Sequence, residues 1–254
     1  MQHHMYDEAF RLVESGMPVL LTGEKGSGKT TLAMQIAEGL ELQFFNISMT
    51  RQTTLSHLLG FMSVNGTYVS SQLRKVAEEG GLFLIDEIDA GDANVLLCLN
   101  TIENGFISFP DGIIQLHENF RLVATSNPQD AHDSYVGRNK LDAATLDRFD
   151  IIDIDHDDEL EKTLVEFETF QHIDAMRKAL KSYNSSIVVS MRDAVRLQNR
   201  SKLGLTEGFM FRVCGKNDLV MQKYEEFIAS MPKFTDQAKC KTFEDLHELL
   251  NTKT

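Results

Sequence analysis

The chain has no tryptophan, only four prolines and three cysteines, and far fewer bases than acids. Each scarcity excludes something. Cys98, Cys214 and Cys240 are widely spaced and odd in number. Neither a disulfide framework nor a zinc knuckle is expected of them; each reads as a small buried apolar residue or an idle thiol. With 25 Lys and Arg against 38 Asp and Glu, the formal net charge is −13. That balance repels phosphate backbones, so general nucleic-acid binding is not expected, although a local basic channel stays compatible with it. No apolar run approaches the ~20 residues that span a bilayer. The opening residues Met1-Gln2-His3-His4-Met5-Tyr6-Asp7-Glu8 contain no Lys, no Arg and no apolar core, so no secretory signal is read and a cytoplasmic setting is expected. His3 and His4 read as a tag remnant or a solvated end rather than a metal site.

What is present is an ordinary globular composition, 42% apolar and 25% charged over 254 residues, enough for one large domain or two smaller ones. The chain is organised around Val19-Leu20-Leu21-Thr22-Gly23-Glu24-Lys25-Gly26-Ser27-Gly28-Lys29-Thr30-Thr31. It reads as a buried strand, a glycine-rich turn and the start of a helix. Gly23 to Thr30 fits G-x-x-x-x-G-K-[ST], the phosphate-binding loop. Glycines let successive backbone N–H groups converge on one anion, and the helix adds the positive end of its dipole. Lys29 is expected on the β- and γ-phosphates and the Thr30 hydroxyl on Mg²⁺. Residues 23–31 together are the candidate nucleotide-binding segment.

Leu82-Phe83-Leu84-Ile85-Asp86-Glu87 is the second motif. Its apolar run suits a parallel strand covered on both faces, and its acids begin where that strand ends. Ligands of open α/β sheets bind at the carboxyl ends of strands. Asp86 is therefore the second candidate metal ligand, and Glu87 the candidate base for a water attacking the γ-phosphate. Asp89 reads as a helix cap. A third strand, 120–126, ends at Asn127-Pro128, which sets Asn127 beside the acids as a candidate to orient that water. Asn139-Lys140-Leu141-Asp142 spells the guanine-reading N-K-x-D, but it follows a loop rather than a buried strand and reads as chance.

Helices are expected at 5–15, 29–40, 51–59, 72–79, 95–103 and 141–149, and strands at 19–22, 43–47, 82–86, 120–126 and 149–154. The segment 60–71, with Asn65-Gly66, reads as an exposed excursion. Pro110-Asp111-Gly112 turns a β-hairpin over 106–116. From about residue 158 the pattern is purely helical, with helices at 158–183, 190–202, 217–230 and 242–251, and Ser190 as a cap.

The order of the phosphate loop, Leu84-Ile85-Asp86-Glu87, Ser126-Asn127-Pro128, Leu146-Asp147-Arg148-Phe149 and Ser190-Met191-Arg192-Asp193 resembles an AAA+ ATPase. The 106–116 hairpin and the 59–81 segment resemble the MoxR/CbbQ/NorQ-like, dynein-related branch, which includes midasin-type ATPases. The resemblance implies a P-loop NTPase α/β domain with a five-stranded parallel sheet over 1–154, and a helical lid over 155–254. It implies Lys29 and Thr30 as Walker A, Asp86 and Glu87 as Walker B, and Asn127 as first sensor. It also implies Arg148 as an arginine finger serving a neighbouring subunit and Arg192 as second sensor, with Arg138 a weaker intersubunit candidate. The implied activity is Mg²⁺-dependent ATP hydrolysis in a homo-oligomer, a hexamer by resemblance, that remodels a protein client, as MoxR-like chaperones do, with a von Willebrand A domain protein as the implied partner. A DNA-dependent motor or restriction-type translocase subunit, or a non-hydrolysing nucleotide switch, are the alternatives.

Overall fold

A computed structural model describes residues 2–128, 139, 141, 143–185, 187–205 and 208–230. The chain divides into two compact units, one covering Gln2–Asp155 and the other beginning at His156.

The first unit is built on a sheet of five parallel strands: β1 (Val19–Thr22), β2 (Phe44–Ser48), β5 (Gly81–Asp86), β8 (Phe120–Ser126) and β9 (Asp150–Asp153). Their order across the sheet is β2-β5-β8-β1-β9, and every neighbouring pair is parallel. Period-two alternation sends side chains to opposite faces. Leu20, Phe83, Ile85, Leu122 and Ala124 join one core cluster. Val19, Leu21, Leu82, Leu84 and Val123 join another, which they share with α1 (Tyr6–Glu14) and α2 (Lys29–Gly39). Both faces are therefore covered, which is why the β5 sequence is apolar without a break. The same coverage places Asp86, Ser126 and Thr22 together at the carboxyl edge of the central strands.

Two antiparallel hairpins are inserted around this frame. One pairs β3 (Phe61–Met62) with β4 (Tyr68–Val69), and the other pairs β6 (Phe106–Phe109) with β7 (Gly112–Gln115). The excursion at 60–71 is thus a hairpin turned at Asn65-Gly66. Arg74, on α4 (Gln72–Glu79), ties the two hairpins together. Its guanidinium lies 5.2 Å from the Tyr68 ring centre and 4.9 Å from that of Phe109. It donates to Asp111 at 2.6 Å and pairs with Glu78 at 2.8 Å.

Several boundaries differ from expectation. The helix expected from Arg51 begins only at Leu55 (α3, Leu55–Leu59), because Thr54 and His57 form a reciprocal cap. The helix expected over 95–103 is a short α5 (Ala93–Leu96) followed by a 3₁₀ segment, Leu97–Asn104. Asp89 does not cap it; Asp92 does, accepting the Asn94 N–H at 2.8 Å. Asp89 is instead buried within a 3₁₀ turn, Ile88–Ala90. The helix before β9 is a single turn, α6 (Ala143–Leu146).

The second unit is helical among its described residues: α7 (Asp158–Leu164), α8 (Phe167–Ser182), α9 (Met191–Lys202), α10 (Phe209–Val213) and α11 (Asp218–Ser230). The single helix expected over 158–183 is broken at Val165, which is extended and buried in the core. The following N–H, of Glu166, goes to Gln198 Oε1 at 2.8 Å instead of continuing a helical ladder. Ser190 caps α9, as expected, in a capping box with Asp193. The α10 helix was not expected, and the expected 242–251 helix lies outside the described residues. Glu161 is fully buried and accepts both ends of the Arg177 guanidinium, at 2.9 and 2.8 Å. No described helix is long and apolar enough to cross a membrane.

Candidate functional site

The phosphate loop links β1 to α2. Gly26 and Gly28 adopt φ of 82° and 96°, the left-handed region that glycine enters without strain. At Gly23 the constraint is space: a Cβ there would stand 2.1 Å from the Ile154 carbonyl oxygen and 3.2 Å from Ser27 Oγ. Residue 154 follows β9, so the last strand of the sheet buttresses the loop from behind. Gly23 N–H also donates to the Ser126 carbonyl at 3.3 Å.

Several features of this loop suit a bound polyphosphate. Ser27 Oγ is buried yet has no hydrogen-bond partner among the described residues, a state that costs free energy unless something else supplies the bond. Among the described residues no side chain caps the α2 helix at Gly28, which suits an anion at its first turn. Lys29 Nζ donates to the carbonyls of Gly23 and Glu24 at 2.6 and 2.9 Å, which holds the ammonium over the loop. Glu24, Lys25 and Thr31 are exposed.

The acids of β5 meet the loop at Thr30. Its hydroxyl lies 3.3 and 3.4 Å from the two Asp86 carboxylate oxygens. A hydroxyl and a carboxylate in contact, both half-buried, form a hard oxygen pair of the kind that holds Mg²⁺ through one or two protein ligands. Glu87 has φ 56° and ψ 46°, the left-handed region, at a non-glycine position. That conformation costs about 1–2 kcal/mol and is found where the surroundings impose it. Here the surroundings include Thr125: its hydroxyl accepts the Glu87 N–H at 2.9 Å. Thr125 is a site residue that sequence reading missed. The signal was a hydroxyl residue inside the apolar run of β8, two positions before Asn127. Asn127 itself is buried just past the end of β8, the strand that lies between β5 and β1.

The remaining candidates are carried by other elements. Arg148, after α6, donates to the Ala144 carbonyl at 2.5 Å and lies 4.0 Å from a Glu103 oxygen. Arg192 is exposed in the first turn of α9, in the second unit. Arg138, Lys140 and Asp142 lie outside the described residues. Asn139 is engaged structurally: its N–H donates to the Asp89 carbonyl at 2.7 Å and its side-chain amide to the Gly91 carbonyl at 2.8 Å. Burial pushes the Cys98 thiol up to about 12, as an inert thiol requires.

Comparison with known proteins agrees with this geometry. The AAA domain (dynein-related subfamily) matches residues 18–149, just over half of the chain. A midasin of Giardia intestinalis is 28% identical over 225 residues, which is 78% of this chain but 5% of the midasin. An uncharacterised protein of Staphylococcus epidermidis is 24% identical over 174 residues, 63% of this chain and 64% of that protein. The chain thus spans less than two thirds of these relatives. Among solved structures, NtrX of Brucella abortus in complex with ADP superposes with a TM-score of 0.51 at 15% identity, covering 92% of this chain and 56% of that one. That likeness shows a shared fold. The family match spans the phosphate loop, the acidic strand end and Asn127, and the chain belongs to the AAA domain family, in its dynein-related subfamily.

Proposed function

We propose that this chain binds ATP with Mg²⁺ and hydrolyses it at the subunit interfaces of a ring, using the cycle to remodel a protein partner. The observation that carries the reading is the contact of Thr30 with Asp86, with Glu87 fixed one residue further on. Thr30 and Asp86 would hold the metal, which supplies charge neutralisation on the phosphate oxygens. Lys29, Ser27 and the amides of residues 23–31 would hold the phosphates. Glu87 would take a proton from the attacking water and Asn127 would orient it. Arg148 would reach the nucleotide of the neighbouring subunit, and Arg192 that of its own. Family membership supports ATP-driven activity. The MoxR-like chaperone role and a von Willebrand A client rest on the resemblance of the 106–116 hairpin and the 59–81 segment to that branch, and the hexamer on family resemblance. The acidic balance favours a protein client over nucleic acid.

The test is turnover by the purified chain with ATP and Mg²⁺, alongside Glu87→Gln. The variant is expected to bind ATP as the parent does and to lose hydrolysis by about 10²-fold or more. Parental turnover in Glu87→Gln would remove the base assignment. Salt-sensitive stimulation by DNA would shift the client to nucleic acid.

A further inference from the structure

His3 is not a solvated end: it is 4% exposed. Its ring stacks on that of His4, with centroids 4.4 Å apart. Both rings meet Asp155, two residues past the end of β9. His3 Nε2 lies 3.3 Å from the Asp155 carbonyl oxygen, and His4 Nε2 lies 3.0 Å from its carboxylate. One ligand atom from each of the three residues falls within a 4.8 Å cluster.

We propose that His3, His4 and Asp155 form a binding site for a divalent transition metal of the Zn²⁺ class. The donor set selects the ion. Two imidazoles and one carboxylate suit Zn²⁺ and its neighbours, whereas Mg²⁺ and Ca²⁺ take oxygen ligands. The spacing suits it too. Tetrahedral ligands at the usual zinc distances of about 2.0–2.1 Å stand about 3.3 Å from one another. The His4–Asp155 separation of 3.0 Å is already close to that edge. The two side chains that have to adjust are the accessible ones, His4 at 45% and Asp155 at 73% exposure, while His3 is fixed by its burial. Their exposure leaves solvent to complete the coordination.

The protonic balance is simple. His3 meets the Met5 N–H at Nδ1, at 3.2 Å, and the Asp155 carbonyl at Nε2. Binding through Nδ1 would exchange the Met5 N–H bond for a coordinate bond, and the imidazole would stay neutral with its proton on Nε2, still donated to the Asp155 carbonyl. The ion would fasten the residues leading into α1 to the residue after Ile154. Ile154 is the neighbour whose carbonyl oxygen backs Gly23. Metal occupancy would therefore stiffen the rear wall of the phosphate loop. The site uses no residue of the nucleotide machinery, so metal binding is measured without nucleotide or turnover.

The test uses the full chain without an affinity tag, stripped of metal, and titrated with Zn²⁺ by calorimetry and with Co²⁺ by visible absorption. One equivalent is expected to bind, with a tetrahedral Co²⁺ spectrum and a raised melting temperature. Because removing buried His3 risks unfolding, the variants are His4→Ala and Asp155→Asn at the exposed positions. Each is expected to weaken binding about tenfold or more and to abolish the metal-induced rise in melting temperature. Absence of Zn²⁺ binding by the parent, or binding of equal affinity and stoichiometry in both variants, overturns the site and leaves the three residues as a hydrogen-bonded tether.

Discussion

Thr125 Oγ1 donates to Asp86 Oδ1 at 2.5 Å and accepts the Glu87 N–H at 2.9 Å. One hydroxyl therefore fixes both members of the acidic pair, from the strand next to theirs. Asp86 is oriented through its carboxylate and Glu87 through its strained backbone.

Thr125→Val keeps shape and removes the hydroxyl. A hydrogen bond to a charged group is worth about 1.5–3 kcal/mol, so kcat for ATP is expected to fall about tenfold or more, with a smaller change in KM. Thr125→Ser, which restores the hydroxyl, should recover most of the rate. A purely structural role would lower stability without this split between kcat and KM. Steady-state kinetics of the two variants decides, and a parental kcat in Thr125→Val would show that Thr125 positions nothing.

The phosphate loop gives a second prediction. In Gly23→Ala the new methyl meets the Ile154 carbonyl oxygen at 2.1 Å, a backbone atom that cannot swing aside. Overpacking of this kind costs about 1–3 kcal/mol. The loop has to shift away from β9, so a lower melting temperature and weaker nucleotide binding are expected together. Gly105→Ala is the control: its φ of 79° carries the backbone penalty, but among the described residues no atom beyond its chain neighbours lies within 4 Å of the new Cβ. It should lower stability and leave nucleotide affinity alone. Equal affinity in Gly23→Ala and the parent would show that the rear wall does not shape the loop.

How much of this was legible beforehand depended on the range of the signal. The strand–loop–helix at 19–39 and the apolar β5 run carry their structure in local pattern, and both were read at or within a residue of their bounds. Glu87 was named by adjacency to Asp86. Its left-handed backbone was not, because Thr125 imposes it from 38 positions away. The break at Val165 was invisible for the same reason, since Gln198 captures the Glu166 N–H from another helix. Nothing in the local pattern of 72–79 singles out Arg74. Only the fold brings Tyr68, Phe109 and Asp111 around it.

The in-trans role proposed for Arg148 has its own signature. Arg148→Ala is expected to be inactive alone, with a loss of about 10³-fold or more, the scale of arginine fingers. Mixed with Lys29→Ala, which cannot hold nucleotide productively, it should regain part of the activity. In the proposed ring, mixing would create interfaces that join an intact phosphate loop to an intact Arg148. ATPase measured across mixing ratios should pass through a maximum. A flat, inactive series would remove the in-trans assignment.

Acid stability is the last consequence. Burial pushes the Glu161 carboxyl up, but hydrogen bonds from His156 and Arg177 and the attraction of the Arg177 charge outweigh it, so the group sits below the ordinary glutamate value. The unfolded chain then binds this proton more readily than the folded one. Stability from Glu161 is fully present above the unfolded value of about 4.3 and is lost as pH falls through the lower folded value. The parent is therefore expected to lose stability in that acid window, and Glu161→Gln to show a flatter profile there. At neutral pH the same substitution leaves Arg177 without its carboxylate, at a cost of about 3 kcal/mol. Replacing both residues by methionine removes the orphaned charge and should cost much less. Denaturant unfolding of the parent and the two variants at several pH values checks the sign. A parent and a Glu161→Gln variant with parallel acid profiles would show that the buried pair contributes nothing to the pH dependence.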